Sequence, residues 1–147
     1  MSRNLKFIFL STAFLALLDQ LGKYLIVQYL KAPLPVFEDF FKLEYSQNTG
    51  IAFGLPIPQK ILIPGAFILM IAIFFFAKKE LNLDKGITRI ALALILGGAL
   101  GNLIDRLAYG YVIDFIAIWE WPNFNLADIY ITLGVLLILM FYGKIKR

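Results

Sequence analysis

Two residue types are missing altogether: the 147-residue chain has no cysteine and no histidine. Their absence excludes a thiol nucleophile, a serine–histidine couple, a disulfide and a zinc site built on imidazole or thiolate. Charge is scarce as well, at 16% of residues against 61% hydrophobic, with a mean hydropathy of +0.79. A soluble domain of this length has too little interior to hide so much apolar surface. For difficult chemistry, carboxylate, amide, hydroxyl and basic groups remain. The net charge of +4 does not point to a nucleic-acid partner, because the basic residues fall in short clusters between apolar runs.

Four apolar runs reach spanning length, at roughly residues 7–30, 61–77, 87–108 and 127–143. The expected fold is therefore a mainly α membrane protein. A four-helix transmembrane bundle over residues 1–147 forms one integral membrane domain. The first run follows Arg3 and Lys6 as a signal peptide would. It is too long for one, contains Asp19 and Lys23, and lacks a small-x-small cleavage site, so it reads as a retained helix. Orientation follows the basic residues. Arg3, Lys6, Lys78, Lys79, Lys85, Arg89, Lys144, Lys146 and Arg147 lie at the termini and between the second and third runs, whereas Lys31, Lys42 and Lys60 lie in the first loop. Both termini are expected in the cytoplasm, with residues 31–60 and 109–126 facing outward.

The first outward segment alternates Phe41, Leu43 and Tyr45 with Lys42, Glu44 and Ser46, the period of a half-buried strand. Asn48-Thr49-Gly50 turns it, and Pro56 and Pro58 lead into the second helix. The second outward segment, residues 111–118, is aromatic and β-branched and pairs with the first in a small outer sheet. Trp119, Trp121 and Tyr130 suit the membrane interface. Pro64-Gly65 is read as a tolerated kink, and Gly97, Gly98 and Gly101 as the smooth face of a close helix crossing.

Polar side chains inside the bilayer are costly and mark functional sites. Here Asp19, Lys23, Asn102, Asp105, Arg106 and Asp128 all fall toward the outer side, with Asp19 roughly 20 Å along the first helix. Asp19 and Lys23, at i and i+4, read as a mutually neutralising pair. Arg106 either holds Asp105 in a forked ion pair or faces lipid phosphates, and the two read mainly as scaffold. Asp114 and Asp128 have no basic neighbour in sequence. Asp128 is also accounted for as a helix N-cap, as is Asn125, and Asp114 as a solvated loop residue. Together they flank one re-entrant hairpin, and two facing carboxyls share a proton. One can then take a proton from water while the other polarises a carbonyl, without metal or covalent intermediate. Asn48, Asn102 and Asn125 serve as neutral amide supports.

Five ordered stretches carry a resemblance: Asp19-Gln20-Leu21-Gly22-Lys23, Asn48-Thr49-Gly50-Ile51-Ala52-Phe53-Gly54, Gly97 through Arg106, Gly110 through Phe115, and Phe124 through Asp128. In this set the chain resembles the bacterial lipoprotein signal peptidases, signal peptidase II. The resemblance implies four transmembrane helices, an extracytoplasmic β-cradle and a catalytic dyad of Asp114 and Asp128. Asp19, Lys23, Asn48, Gly50, Asn102, Asp105, Arg106 and Asn125 are implied as substrate-binding or supporting residues, with no metal and no cofactor. The implied partners are membrane lipid and a diacylglyceryl-modified prolipoprotein, cut just before its lipidated cysteine, by an enzyme expected to be a monomer. The stretches between Asp114 and Asp128 and from Phe53 to the second helix are shorter than in many relatives, which bears on how an outer lid closes. Two rivals predict other patterns: a transporter spreads its polar groups through the membrane depth or shows inverted repeats, and a non-catalytic subunit leaves Asp114→Asn and Asp128→Asn silent.

Overall fold

The structure, a computed structural model, describes residues 2–38, 40–50 and 57–147. The chain runs α1 (Arg3–Tyr29), β1 (Leu34–Phe37), β2 (Phe41–Asn48), α2 (Gln59–Glu80), α3 (Gly86–Tyr109), β3 (Val112–Ile118) and α4 (Leu126–Ile145). All four helices are long and apolar enough to cross a membrane. At the basic end they run past the apolar runs, to Arg3, Glu80, Gly86 and Ile145. Charged residues there still complete the last helical turns. Pro64 lies inside α2 without ending it. Residues 51–56, which include Pro56 and most of the link from Phe53 to the second helix, lie outside the described residues.

α3 is the central helix, packed most extensively against α4 and α1 and less against α2. Lipid gives apolar helices no reason to associate, so close packing has to come from small residues. A Cβ on Gly97 would sit 2.8 Å from the Leu15 side chain, and one on Gly98 would run into the Ala127 carbonyl oxygen. Gly134 on α4 answers them, with Ile95 and the Ala91 carbonyl against it. The glycines are thus a helix-crossing face, as their spacing suggests. At the basic end the C-terminus is tied to the link between α2 and α3: Asn82 N–H donates to Ile145 O at 2.7 Å and Arg147 N–H to Glu80 O at 2.9 Å.

At the opposite end sits a three-stranded antiparallel sheet in the order β1-β2-β3. Phe41 pairs with Ile118, Leu43 with Ile116, Ser46 with Asp114 and Asn48 with Val112, with an irregularity between Leu43 and Ser46. β2 and β3 are the strands read from alternation. β1 was not anticipated, since Pro33 and Pro35 mask it; Pro35 is tolerated because β1 is an edge strand. α3 hands over to β3 through Gly110, whose φ of 79° is a left-handed cap that other residues adopt with strain.

Candidate active site

The polar cluster gathers where α1, α3 and α4 meet the sheet. At its base, Lys23 Nζ lies 2.7 Å from Asp19 and 2.8 Å from Asp105. All three side chains are buried. Both carboxylates also accept backbone N–H groups. Asp19 accepts from the Ala127 N–H at 2.9 Å, which seats the start of α4. Asp105 accepts from the Ile113 N–H at 3.0 Å, which seats the start of β3. A buried charge group of this kind is held by pairing and hydrogen bonding together. Gln20 completes it, donating to Asp105 at 2.7 Å and to the Gly101 carbonyl at 3.1 Å. Sequence reasoning gave Gln20 no role; an amide beside Asp19 in an apolar run was the available signal.

Asp105 therefore does not pair with Arg106. Neighbouring helical residues point about 100° apart, so Asp105 turns inward to Lys23 while Arg106 turns to a cleft. Arg106 Nη2 donates to the Gly50 carbonyl at 3.1 Å, and its Nε has no hydrogen-bond partner among the described residues. Asp128 is not the helix N-cap either. Asn125 caps α4 by accepting from the Asp128 N–H, while Asp128, at the third helical position, accepts back from the Asn125 N–H at 3.1 Å. This reciprocal capping box fixes both residues with respect to the helix start.

Asp114 is on β3 and 2% exposed, not in a solvated loop. Its oxygens accept from Asn125 Nδ2 at 2.7 Å and from Asn48 Nδ2 at 3.0 Å. Asn48 Oδ1 in turn accepts from the Gly50 N–H at 3.1 Å, the turn expected at Asn48-Thr49-Gly50. Asn125 thus bridges the two carboxyls, touching Asp114 with its side chain and Asp128 with its backbone. Asn102 Nδ2 donates to the other oxygen of Asp128 at 2.9 Å. Burial pushes the Asp114 carboxyl up to about 6 from its ordinary 3.8, and the charge of Asp128 adds to the rise against the donors Asn48 and Asn125 and the charge of Lys23.

Both carboxyls open onto a cleft of about 520 Å³, also lined by Asn48, Gly50, Asn102 and Arg106. Each sequence-predicted site residue is in the cleft wall or in the hydrogen-bonded layer behind it. No cluster of three carboxylates suited to a metal ion occurs among the described residues. The arrangement offers two carboxyls and a guanidinium lining one cleft, with uncharged amides holding the carboxyls. That is a donor and acceptor set for adding water to a carbonyl.

Comparison with known proteins agrees. Residues 11–143 match the protein family described as signal peptidase (SPase) II. A lipoprotein signal peptidase of Moorella thermoacetica is 46% identical over 133 residues, covering 88% of this chain and 89% of the relative. One from Halothermothrix orenii is 36% identical, covering 89% and 91%. A solved bacterial membrane enzyme superposes with a TM-score of 0.84 at 32% identity, covering 93% of this chain and 87% of that one.

Proposed function

The chain belongs to the signal peptidase II family, and from that membership we propose that Asp114 and Asp128 form its catalytic pair. It is a multi-pass membrane aspartyl endopeptidase that removes signal peptides from diacylglyceryl-modified prolipoproteins by cleavage just before the lipidated cysteine. The observation that carries the residue assignment is the Asn125 bridge, which holds one carboxyl on β3 and one on α4 at the mouth of a single cleft.

Asp114, raised to about 6 by burial, is the member that carries the proton. Asp128 lies in the first turn of α4, among backbone N–H groups, and is the base. Water gives a proton to Asp128 as its oxygen adds to the scissile carbonyl, and the proton of Asp114 passes to the carbonyl oxygen. Collapse returns that proton to Asp114 and sends the one on Asp128 to the leaving amine. The pair ends as it began, and neither metal nor acyl-enzyme is required. Asn102 and Asn48 hold the carboxyls in register, and Arg106 presents a positive charge where the carbonyl oxygen gains negative charge.

Lys23, Asp19, Asp105 and Gln20 support the site by seating α4 and β3. The enzyme acts as a monomer in the bacterial inner membrane, with both termini cytoplasmic and the cleft on the outer side. The test is cleavage of a diacylglyceryl lipobox peptide by purified protein beside Asp114→Asn and Asp128→Asn. Cleavage before the lipidated cysteine, lost in both folded variants and indifferent to chelator, is the expected result. Turnover surviving in either variant removes that aspartate from the mechanism.

A further inference from the structure

Asp114, Ile116 and Ile118 alternate along β3 and so share one face of the sheet. Across the ladder, Ile116 stands opposite Leu43 and Ile118 opposite Phe41. The face that presents Asp114 to the cleft becomes purely apolar two and four residues further on. Phe37, Phe40, Phe41 and Phe124 join Ile116 and Ile118 there around a groove of about 500 Å³. Phe124 lines this groove and the cleft alike. The other face of β2 carries the Lys42–Glu44 ion pair.

The groove reaches the transmembrane bundle. Its floor includes Ile129 of α4. Below Ile129, Leu133, Leu136 and Met140 follow at helical spacing on one stripe, exposed by 48%, 47% and 74%. Beyond the groove, the sheet tip ends in Trp119, 74% exposed, with Phe37 and Phe40 exposed beside it. Trp119 has a φ of 45°, costly for a bulky residue, and is pinned there by its N–H donating to Phe40 O at 2.8 Å. Water repays neither that strain nor the exposure of so many aromatic rings. The boundary of a bilayer does, since tryptophan and phenylalanine stems lie in apolar chains while the indole N–H reaches the headgroups.

We infer that the sheet tip formed by Phe37, Phe40 and Trp119 is seated in the outer leaflet, so that the apolar part of the sheet overhangs lipid. This rests on the membrane location of the chain and not on its peptidase activity. The overhang sets the height of Asp114 above the acyl chains. It also leaves an apolar strip along β3 between the sheet tip and the cleft.

The chain has only two tryptophans, both at this tip, so fluorescence reads the site directly. The experiment uses the full chain with Trp121→Phe, reconstituted in phosphatidylcholine vesicles. Lipid brominated high on its acyl chains is expected to quench Trp119 at least about twofold, with little quenching by aqueous iodide. Adding Phe40→Glu is expected to reverse the order, with bromine quenching lost and iodide quenching gained. Strong iodide quenching without bromine quenching in the first protein would overturn the inference, because the tip then stands in water. Weak quenching by both would overturn it too, because the tip is then covered by protein, such as a second copy of the chain. Unchanged bromine quenching with Phe40→Glu would show that this face does not govern seating.

Discussion

Lys23 Nζ lies 3.1 Å from Asn102 Oδ1. An ammonium only donates, so the contact fixes which end of the Asn102 amide faces inward. The other end, Nδ2, is left to donate to Asp128 at 2.9 Å. A charge buried in the bundle thereby orients a group at the cleft without touching the cleft itself. Removing the charge isolates two carboxylates. Lys23→Met leaves Asp19 and Asp105, both fully buried, without a cation, and is expected to cost about 3–5 kcal/mol. The triple variant Asp19→Asn, Lys23→Met, Asp105→Asn is expected to recover much of it. Thermal unfolding in one detergent compares them, and a Lys23→Met midpoint equal to wild type would contradict the charge assignment.

Asn102→Asp exchanges the donor to Asp128 for an acceptor while keeping shape and keeping the contact to Lys23. Folding is expected to survive, because the new carboxylate still accepts from Lys23, beside Asp19 and Asp105. Turnover is expected to fall about 10²–10³-fold, the scale for losing one oriented donor at a reacting centre. Steady-state kinetics beside an unfolding curve separates the two effects. A loss of both in parallel would make Asn102 a scaffold residue only.

Arg106 belongs to the cleft and not to the buried triad, so its removal is expected to act on chemistry. Arg106→Ala is expected to lower kcat/KM about 10²-fold while stability changes by less than about 1 kcal/mol. Arg106→Lys keeps a point charge but loses the planar donors, including the unpartnered Nε. It should fall between the two. An equal loss of folded yield and activity in Arg106→Ala would return the residue to the scaffold.

The apolar runs, the alternation in β2, the close-packing glycines and the Asp19–Lys23 pair are all local patterns, and each was legible in the sequence. What the sequence hid is set by contacts between distant segments. Asp105 sits beside Arg106 in the chain but pairs with Lys23 across the bundle, and only the rotation of α3 decides between them. Asn125 and Asp128 at i and i+3 suggest a helix start, yet a single residue's choice of cap or box position depends on where the backbone leaves β3. β1 offers neither alternation in burial nor a proline-free run, so it exists only because β2 supplies a partner. The proposed pairing of Asp114 with Asp128 is read from their place on one re-entrant hairpin and from the absence of basic neighbours; Asn125, which touches both carboxyls, is read from the sequence only as a support.

Gly98 ties the helix crossing to the site. A Cβ there would run into the carbonyl oxygen of Ala127, next to Asp128, and would approach Ile131 at 2.9 Å. The obstacle is backbone, which cannot swing aside. Gly98→Ala is expected to cost about 1–3 kcal/mol by overpacking and to lower turnover more than the fraction unfolded explains. Gly65→Ala, with nothing within 4 Å of the added carbon, is the control and should match wild type in both. If Gly98→Ala keeps full activity, α3 and α4 have more freedom at this crossing than the geometry allows.

Asp114 makes opposite demands on stability and on turnover, and pH separates them. Its carboxyl is raised from 3.8 to about 6 in the folded protein. Between those values the folded state binds more protons than the unfolded one, so stability falls as pH rises through that window, by at most about 3 kcal/mol. Asp114→Asn has no charge to bury. It is expected to gain about 1–3 kcal/mol over wild type above pH about 6, to show little difference below pH about 4, and to be inactive throughout. With Asp114 as the proposed proton donor, kcat/KM should decline on the alkaline side as its carboxyl ionises. Asn48 donates to Asp114 at 3.0 Å and favours its ionised form. Asn48→Ala should therefore move the alkaline limb to higher pH. A limb that stays in place, or moves down, would mean that Asp114 is not the group losing the proton.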